Sequence, residues 1–307
     1  MNSVFQTLLP VFLLIAVGYL LRRVQLPGDG FWPPAERLTY FIFFPSLLVH
    51  NLSRAPLEGQ VIGDLALTLA IAVTLMSLLA LATRPFLHLS GPAFTSLFQC
   101  TIRFNTYIGI AAATALWGEA GLTLAAISLA ILIPLINVYC VAVLIHWGDH
   151  GKGAGLVGVV LAILRNPLVL ACATGIALNL SNWELPQFAT GVLEILGRAA
   201  LPLGLLAVGA GLNLKALRHS GKTVALSCFA KLLLMPLVML TIARLLDLPA
   251  LAESVTVLFA ALPGATSAYI LARQLGGDHE LVAGMVTLQT GLAVVTLPLI
   301  LGYLGAA

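Results

Sequence analysis

Residues 103–109 read RFNTYIG, and they interrupt a stretch that is otherwise apolar from about residue 94 to 116. A charged side chain, an amide and a glycine stand where an uninterrupted apolar helix would be the more stable choice in lipid. A second interruption, LPGATSA at 262–268, lies in a later apolar stretch. These two interruptions and their surroundings decide which fold the sequence predicts.

The composition places the chain in a lipid bilayer. Of its 307 residues, 60% are hydrophobic and only 9% are charged, and the mean hydropathy is +1.04. Soluble globular chains carry about 25% charged residues. The chain is therefore predicted to cross the membrane several times. Its net charge of +3 reflects membrane topology, and no segment indicates a nucleic-acid partner.

Apolar runs of about 20 residues are long enough to cross the hydrocarbon core as helices. The connections between such runs are short, which leaves no room for a soluble domain and predicts an all-α polytopic protein. Nothing basic precedes the first run, so we expect a retained span and not a cleaved signal. The ten predicted spans are residues 3–22, 34–53, 61–83, 94–116, 122–146, 156–179, 187–211, 221–246, 250–272 and 280–304.

The basic residues predict the orientation, because Lys and Arg near span ends accumulate on the cytoplasmic side. With both termini outside, only Arg54 and Arg244 lie toward the outer side. The sequence therefore predicts a multi-pass protein of the inner (plasma) membrane with the N-terminus and the C-terminus outside. The basic residues then on the cytoplasmic side are Arg22, Arg23, Arg37, Arg84, Lys152, Lys215, Arg218, Lys222 and Arg273.

Two halves of the chain resemble each other. FFPSLLVHNL (43–52) and ALPLGLLAVG (200–209) carry prolines 157 positions apart, at Pro45 and Pro202. The segments 95–122 and 256–281 both begin Thr-x-Leu-Phe and both break in the middle. We therefore expect two five-span repeats, residues 1–150 and 151–307. Since five is odd, the second repeat enters from the opposite side, an inverted repeat as in many secondary transporters.

Spans four and nine are predicted to be broken helices that cross. Pro263 cannot continue a regular helix, and Gly264 relaxes the backbone beside it. Thr266 and Ser267 can then bond freed backbone groups, and Asn105 can support the corresponding break in span four. Irregular backbone at membrane depth lies in protein or lines a wet cavity, and the N-termini of half-helices attract anions. These residues are candidates for substrate binding.

Arg103 adds a full positive charge with a geometry suited to a carboxylate. It lies nine residues into span four, about 14 Å deep at 1.5 Å per residue, which favours a cavity-facing role over a side chain that reaches back to the interface. Thr106 and Tyr107 in the same span, and Asn51 in span two, complete the predicted substrate site.

Other intramembrane polar residues have structural explanations as well as functional ones. Glu194 and Arg198 are four apart and are predicted to pair on one helix face. Asp64 either caps span three or carries a proton, and Lys231 reaches an interface or pairs with a carboxylate. The four cysteines lie inside spans without metal-ligand spacing, so we expect them to pack as small hydrophobic residues.

The same segments resemble the auxin efflux carrier family over essentially the whole chain. RFNTYIG followed by WGEAGL is similar to its fourth span, and residues 262–299 are similar to its ninth and tenth spans. RNPL (165–168) and LPLGLLAVGAGL (201–212) resemble its sixth and seventh spans.

The resemblance implies a ten-span inverted-repeat fold related to bile acid:sodium symporters. Spans 1, 2, 6 and 7 would form a scaffold and a homodimer face, and spans 3–5 and 8–10 a moving transport domain. The crossovers would fall at Asn105 and Pro263, and Asp64 would align with an acidic residue implicated in coupling. The chain departs from plant members, which have proline at both crossovers and a long central loop.

The predicted function is therefore secondary active, elevator-type transport of a small organic anion. The substrate would be an auxin-like monocarboxylate or a dicarboxylate such as malate or malonate. We expect no cofactor, with coupling to Na⁺, to H⁺ or to neither. A passive channel or uniporter and a sodium-coupled symporter of bile-acid-like anions are the alternatives. An enzyme is not expected, because no nucleophile–base pair, paired-Asp site or metal-ligand motif appears in the sequence.

Overall fold

The computed structural model describes residues 2–56, 59–149, 165–181, 183, 185–219 and 221–305, and in these residues every regular element is helical. Residues 156–164 of the predicted sixth span, and Lys152, lie outside the described residues. The helices are α1 (Asn2–Arg23), α2 (Trp32–Leu38), α3 (Phe44–Leu52), α4 (Gly59–Leu87), α5 (Gly91–Ile102), α6 (Thr106–Trp147), α7 (Pro167–Leu180), α8 (Gln187–Gly211), α9 (Lys222–Phe229), α10 (Met235–Leu245), α11 (Ala250–Ala261), α12 (Ser267–Leu275) and α13 (His279–Tyr303).

Within the described chain, six helical stretches are long and apolar enough to cross a membrane. One of them, Gly91–Trp147, holds two predicted spans. Gly118, with φ 57° and ψ −138°, interrupts α6 and separates them, in a conformation that glycine adopts at little cost. Pro167–Leu180 and Ala250–Ala261 are apolar but shorter. The all-helical membrane fold is confirmed, whereas the count of ten spans and the inverted repeat remain predictions.

Two π-helical segments, Thr39–Phe43 and Ala230–Leu234, join α2 to α3 and α9 to α10 into continuous helices. Each precedes a proline, Pro45 or Pro236, near the start of the next α-helix. Proline lacks an amide hydrogen and crowds the carbonyl four residues earlier. In both cases that carbonyl belongs to the π segment, where the extra residue per turn accommodates the proline without a break.

Close helix contacts at glycines organise one side of the bundle. α1 packs along α8, and a Cβ added at Gly18 or Gly209 would overlap the backbone carbonyl of Leu206 or Ile15. α3 packs on α7 and α8, with Gly175 against Leu52. Small residues permit such approaches in lipid, where helix association depends on packing. These helices are the first, second, sixth and seventh predicted spans.

Candidate functional site

The predicted break in the fourth span is confirmed at Arg103–Asn105. Helix α5 ends at Ile102, Arg103 has extended backbone (φ −71°, ψ 149°), and α6 begins at Thr106. The Asn105 side chain accepts hydrogen bonds from the amides of Tyr107 (3.1 Å) and Ile108 (3.2 Å). Asn105 therefore caps the new helix and satisfies two of the amides that a helix N-terminus leaves free.

The ninth span breaks at the predicted proline. Helix α11 ends at Ala261, Leu262 is extended (φ −63°, ψ 146°), and α12 begins at Ser267. The N-cap residue of α12, Thr266, makes no side-chain capping bond. The amides of Ala268 and Tyr269 in the first turn of α12 donate instead to the backbone carbonyls of Ala265 and Thr266, each at 3.1 Å.

The two breaks contact each other directly. The Asn105 amide donates to the Pro263 carbonyl at 2.8 Å, and the rings of Phe104 and Phe259 meet edge to face at 5.2 Å. A Cβ added at Gly109 would lie 2.7 Å from the Leu262 side chain, so this glycine permits the close packing. The two interrupted segments, 103–105 and 262–266, therefore lie against each other, and their contact is called the crossing here.

Gln289 on α13, which the sequence analysis missed, holds this crossing in place. Its Oε1 accepts from the Gly264 amide at 2.7 Å. Its Nε2 donates to the Cys100 carbonyl at 3.1 Å and to the Ser227 hydroxyl at 2.8 Å. The side chain is completely buried. An amide in the middle of an apolar span was the signal that could have identified it.

A cavity of about 550 Å³ opens beside the crossing. Six of the predicted site residues line it: Arg103, Asn105, Thr106, Tyr107, Thr266 and Ser267. Pro263 and Gly264 lie behind this surface and contribute backbone bonds. Further polar residues on its walls were not predicted from the sequence: Glu36, Arg37, Tyr40, Asn137, Asn166 and Gln274.

Arg103 lies in this cavity wall with only 9% of its surface exposed. One guanidinium nitrogen donates to the Asn137 side-chain oxygen at 2.6 Å and the other to the Ser267 hydroxyl at 3.4 Å. Within the described part of the chain, its Nε has no partner and no carboxylate lies within ion-pair distance of it. The side chain therefore does not reach back to the interface, and Asn137 and Ser267, which accept its hydrogen bonds, are neutral.

Asn51 and Asp64 lie elsewhere. Asn51 donates to the Leu47 carbonyl at 2.8 Å and lines a second cavity of about 520 Å³, together with His50, Arg54 and Glu119. Asp64 is half-buried near the start of α4 and borders neither of these two cavities. The structure thus does not bring these two candidates to the crossing.

The remaining polar candidates are placed clearly. Glu194 and Arg198 form the predicted ion pair on α8. Lys231 is completely buried, and its Nζ has no hydrogen-bond partner among the described residues, contrary to both roles considered for it.

The four cysteines are free and buried, as expected. Among the described residues no group of three or more His, Cys, Asp and Glu side chains could hold a metal ion.

The sequence is similar to known transporters. The family model "Membrane transport protein" matches residues 156–301. An "Uncharacterized transporter" of Methanothermobacter thermautotrophicus is 30% identical over 96% of each chain. A "Putative malonate transporter" of Rhizobium meliloti is 27% identical over 96% of this chain and 94% of its own length. The chain belongs to the membrane transport protein family, the auxin-efflux-carrier-like family that its sequence resembles.

Proposed function

We propose that this transporter carries a small organic anion through the membrane, with the carboxylate bound at Arg103 beside the crossing of the broken helices. The observation that carries the proposal is a buried guanidinium on a cavity wall with no carboxylate within ion-pair distance in the described chain.

A charged side chain in the middle of a bilayer costs about 2.5–3.5 kcal/mol even on insertion scales. Asn137 and Ser267 orient Arg103 but cannot neutralise it. A substrate carboxylate would supply the missing negative charge, and the positive end of α12 would add to the attraction. Arg103 would therefore both bind the substrate and make the site selective for anions.

The substrate class is a small carboxylate, either a dicarboxylate such as malate or malonate or an auxin-like monocarboxylate. A cavity of about 550 Å³ is of the usual size for a small-molecule site. The name of the Rhizobium meliloti relative mentions malonate, which makes malonate the first anion to test.

The packing favours an elevator-type movement. The glycine contacts among α1, α3, α7 and α8 suit a rigid scaffold, and the remaining long helices would form the transport domain. The cavity lies between α2 and α7 on one side and the two breaks on the other. Sliding of the breaks past this wall would expose the bound anion to the other face of the membrane.

A homodimer would cover the outer face of α8. The Glu194–Arg198 pair lies there beside exposed apolar side chains, including Val192 and Ile195. Charges that face lipid at this depth are costly, and a second copy of the chain packed on this face would shield them. The proposed location is the inner membrane, with both termini outside.

The test is uptake of radiolabelled malonate by proteoliposomes. We expect Arg103→Ala to lower uptake at least about tenfold, because a charge-assisted bond to the carboxylate is lost. Arg103→Lys keeps the positive charge but lacks the planar guanidinium group that can bind a carboxylate through two hydrogen bonds, so it should retain part of the activity.

Arg273→Ala is the matched control, since Arg273 is exposed on α12 and should have little effect. A melting temperature close to that of the wild type would show that the Arg103 variants are folded. Equal uptake by the wild type and by folded Arg103→Ala would reject the proposed site.

A further inference from the structure

The cavity also contains the carboxyl group of Glu36, which the proposed binding of an anion at Arg103 does not use. Glu36 lies on α2, is half-buried, and lines the same cavity as Arg103. Thr266, at the start of α12, also lines this cavity. Within the described residues no Lys, Arg or His nitrogen lies within ion-pair distance of it.

The groups around Glu36 leave its charge uncompensated. Arg37 on its own helix is exposed, and Arg103 on the facing wall is held by Asn137 and Ser267. Charged residues on the elements packed against α2 contact each other instead: Asp29 with Arg22 beside α2, and Glu194 with Arg198 on α8. The other titratable groups on the cavity wall are Tyr40 and Tyr107.

An anion bound at Arg103 would share this cavity with Glu36. Two carboxylates in one site repel each other, and the usual outcome is that one of them takes up a proton. Two like unit charges within about 10 Å, at an effective dielectric constant of about 20, repel each other by about 1.7 kcal/mol or more, which changes a protonation equilibrium by about tenfold or more. Anion binding and proton binding then favour each other reciprocally.

We propose that Glu36 takes up a proton when the anion binds, so that anion binding and proton binding are coupled in this cavity. A hydronium ion or a buffer acid gives up a proton, which breaks its own bond to that proton, and an O–H bond forms at a Glu36 carboxylate oxygen. The Thr266 hydroxyl, which lines the same cavity, can donate a hydrogen bond to an ionised carboxylate and accept one from a protonated carboxyl group. The inference rests on the proposed function and names the proton as the ion whose binding is linked to that of the anion, and Glu36 as the residue that binds it.

The test is calorimetric titration of the purified full-length chain with malonate at about pH 7, in two buffers of different ionisation enthalpy. Malonate is almost entirely the dianion at this pH, so the difference in heat between the two buffers measures the protons that the complex takes up. We expect the wild type to take up between about 0.5 and 1 proton per malonate, and Glu36→Gln, which cannot bind a proton, to take up none. Asp64→Asn is the control and should match the wild type.

The outcomes separate this inference from the proposed function. One outcome is that Arg103→Ala abolishes malonate binding while the wild type binds malonate without taking up a proton. This result would support the anion site and reject the role of Glu36. Proton uptake that persists in Glu36→Gln would also reject the role of Glu36 and would place the proton on malonate or on another group. Loss of proton uptake in Asp64→Asn would assign the proton to Asp64 on α4 instead. Absence of any malonate binding by the folded wild type would count against both.

Discussion

At the scale of single residues, Gln289 shows how a broken transmembrane helix is stabilised. Each unwound segment leaves backbone groups that no water can reach in the bilayer core. Gln289 binds the Gly264 amide in one break, the Cys100 carbonyl before the other and Ser227 on α9. The side-chain amide of Gln289 therefore replaces backbone hydrogen bonds that two regular helices would have made internally.

Replacing Gln289 with Leu should destabilise the protein strongly. The change leaves buried polar groups without partners, each at a cost of about 1–3 kcal/mol. A total of about 3 kcal/mol would lower the melting temperature in detergent by about 6–12 °C. Gln6→Leu makes the same replacement at an exposed position on α1 and should change it little. Similar melting temperatures for the two variants would contradict the role of Gln289.

At the scale of helices, the contact between α1 and α8 depends on having no side chain at two positions. Gly209 on α8 meets the Ile15 carbonyl, and Gly18 on α1 meets the Leu206 carbonyl. The backbones approach so closely there that even a methyl group has no space. This contact joins the first and seventh predicted spans, which the elevator proposal assigns to the scaffold.

Gly209→Ala should therefore lower stability, whereas Gly191→Ala on the same helix should not. A Cβ at Gly209 overlaps backbone, while a Cβ at Gly191 meets no atom within 4 Å. Overpacking costs about 1–3 kcal/mol, and Ala in an open helical position gains about 0.5 kcal/mol over Gly. Thermal melting of both variants in detergent tests this, and equal melting temperatures would show that the contact is not tight.

The sequence predicts both breaks because it contains their causes. Pro263 and Gly264 cannot continue a helix, and Asn105 is a capping residue within an apolar run. The bond between Asn105 and Pro263 could not be predicted, because it depends on how distant segments pack. That Asn51 lines the second cavity and not the one at the crossing could not be predicted, since spacing along a helix does not reveal which cavity a residue faces. Glu36 was missed because it follows Pro33 and Pro34, where a charge usually marks a span end.

At the scale of the whole molecule, the two cavities lie toward opposite ends of the predicted spans. The one at the crossing is bordered by residues near the start of α2 and the end of α12, including Arg37 and Gln274. In the predicted orientation this is the cytoplasmic end. The other is bordered by Arg54 and Leu251, toward the outer end. The structure would then be an inward-open form, with Arg103 accessible from the cytoplasm.

The central claim is that an anion binds at Arg103 beside the crossing, and thiol labelling tests it most directly. The native cysteines are buried, so a cysteine introduced for Thr106, which lines the main cavity, should dominate the labelling. Asn51→Cys reports on the second cavity in the same way.

We expect saturating malonate to slow the labelling of Thr106→Cys about tenfold or more, as an occupied site excludes the reagent. The protection should disappear when Arg103→Ala is added, and Asn51→Cys should be unaffected. Protection of Asn51→Cys alone, or protection of Thr106→Cys that survives the loss of Arg103, would contradict the account.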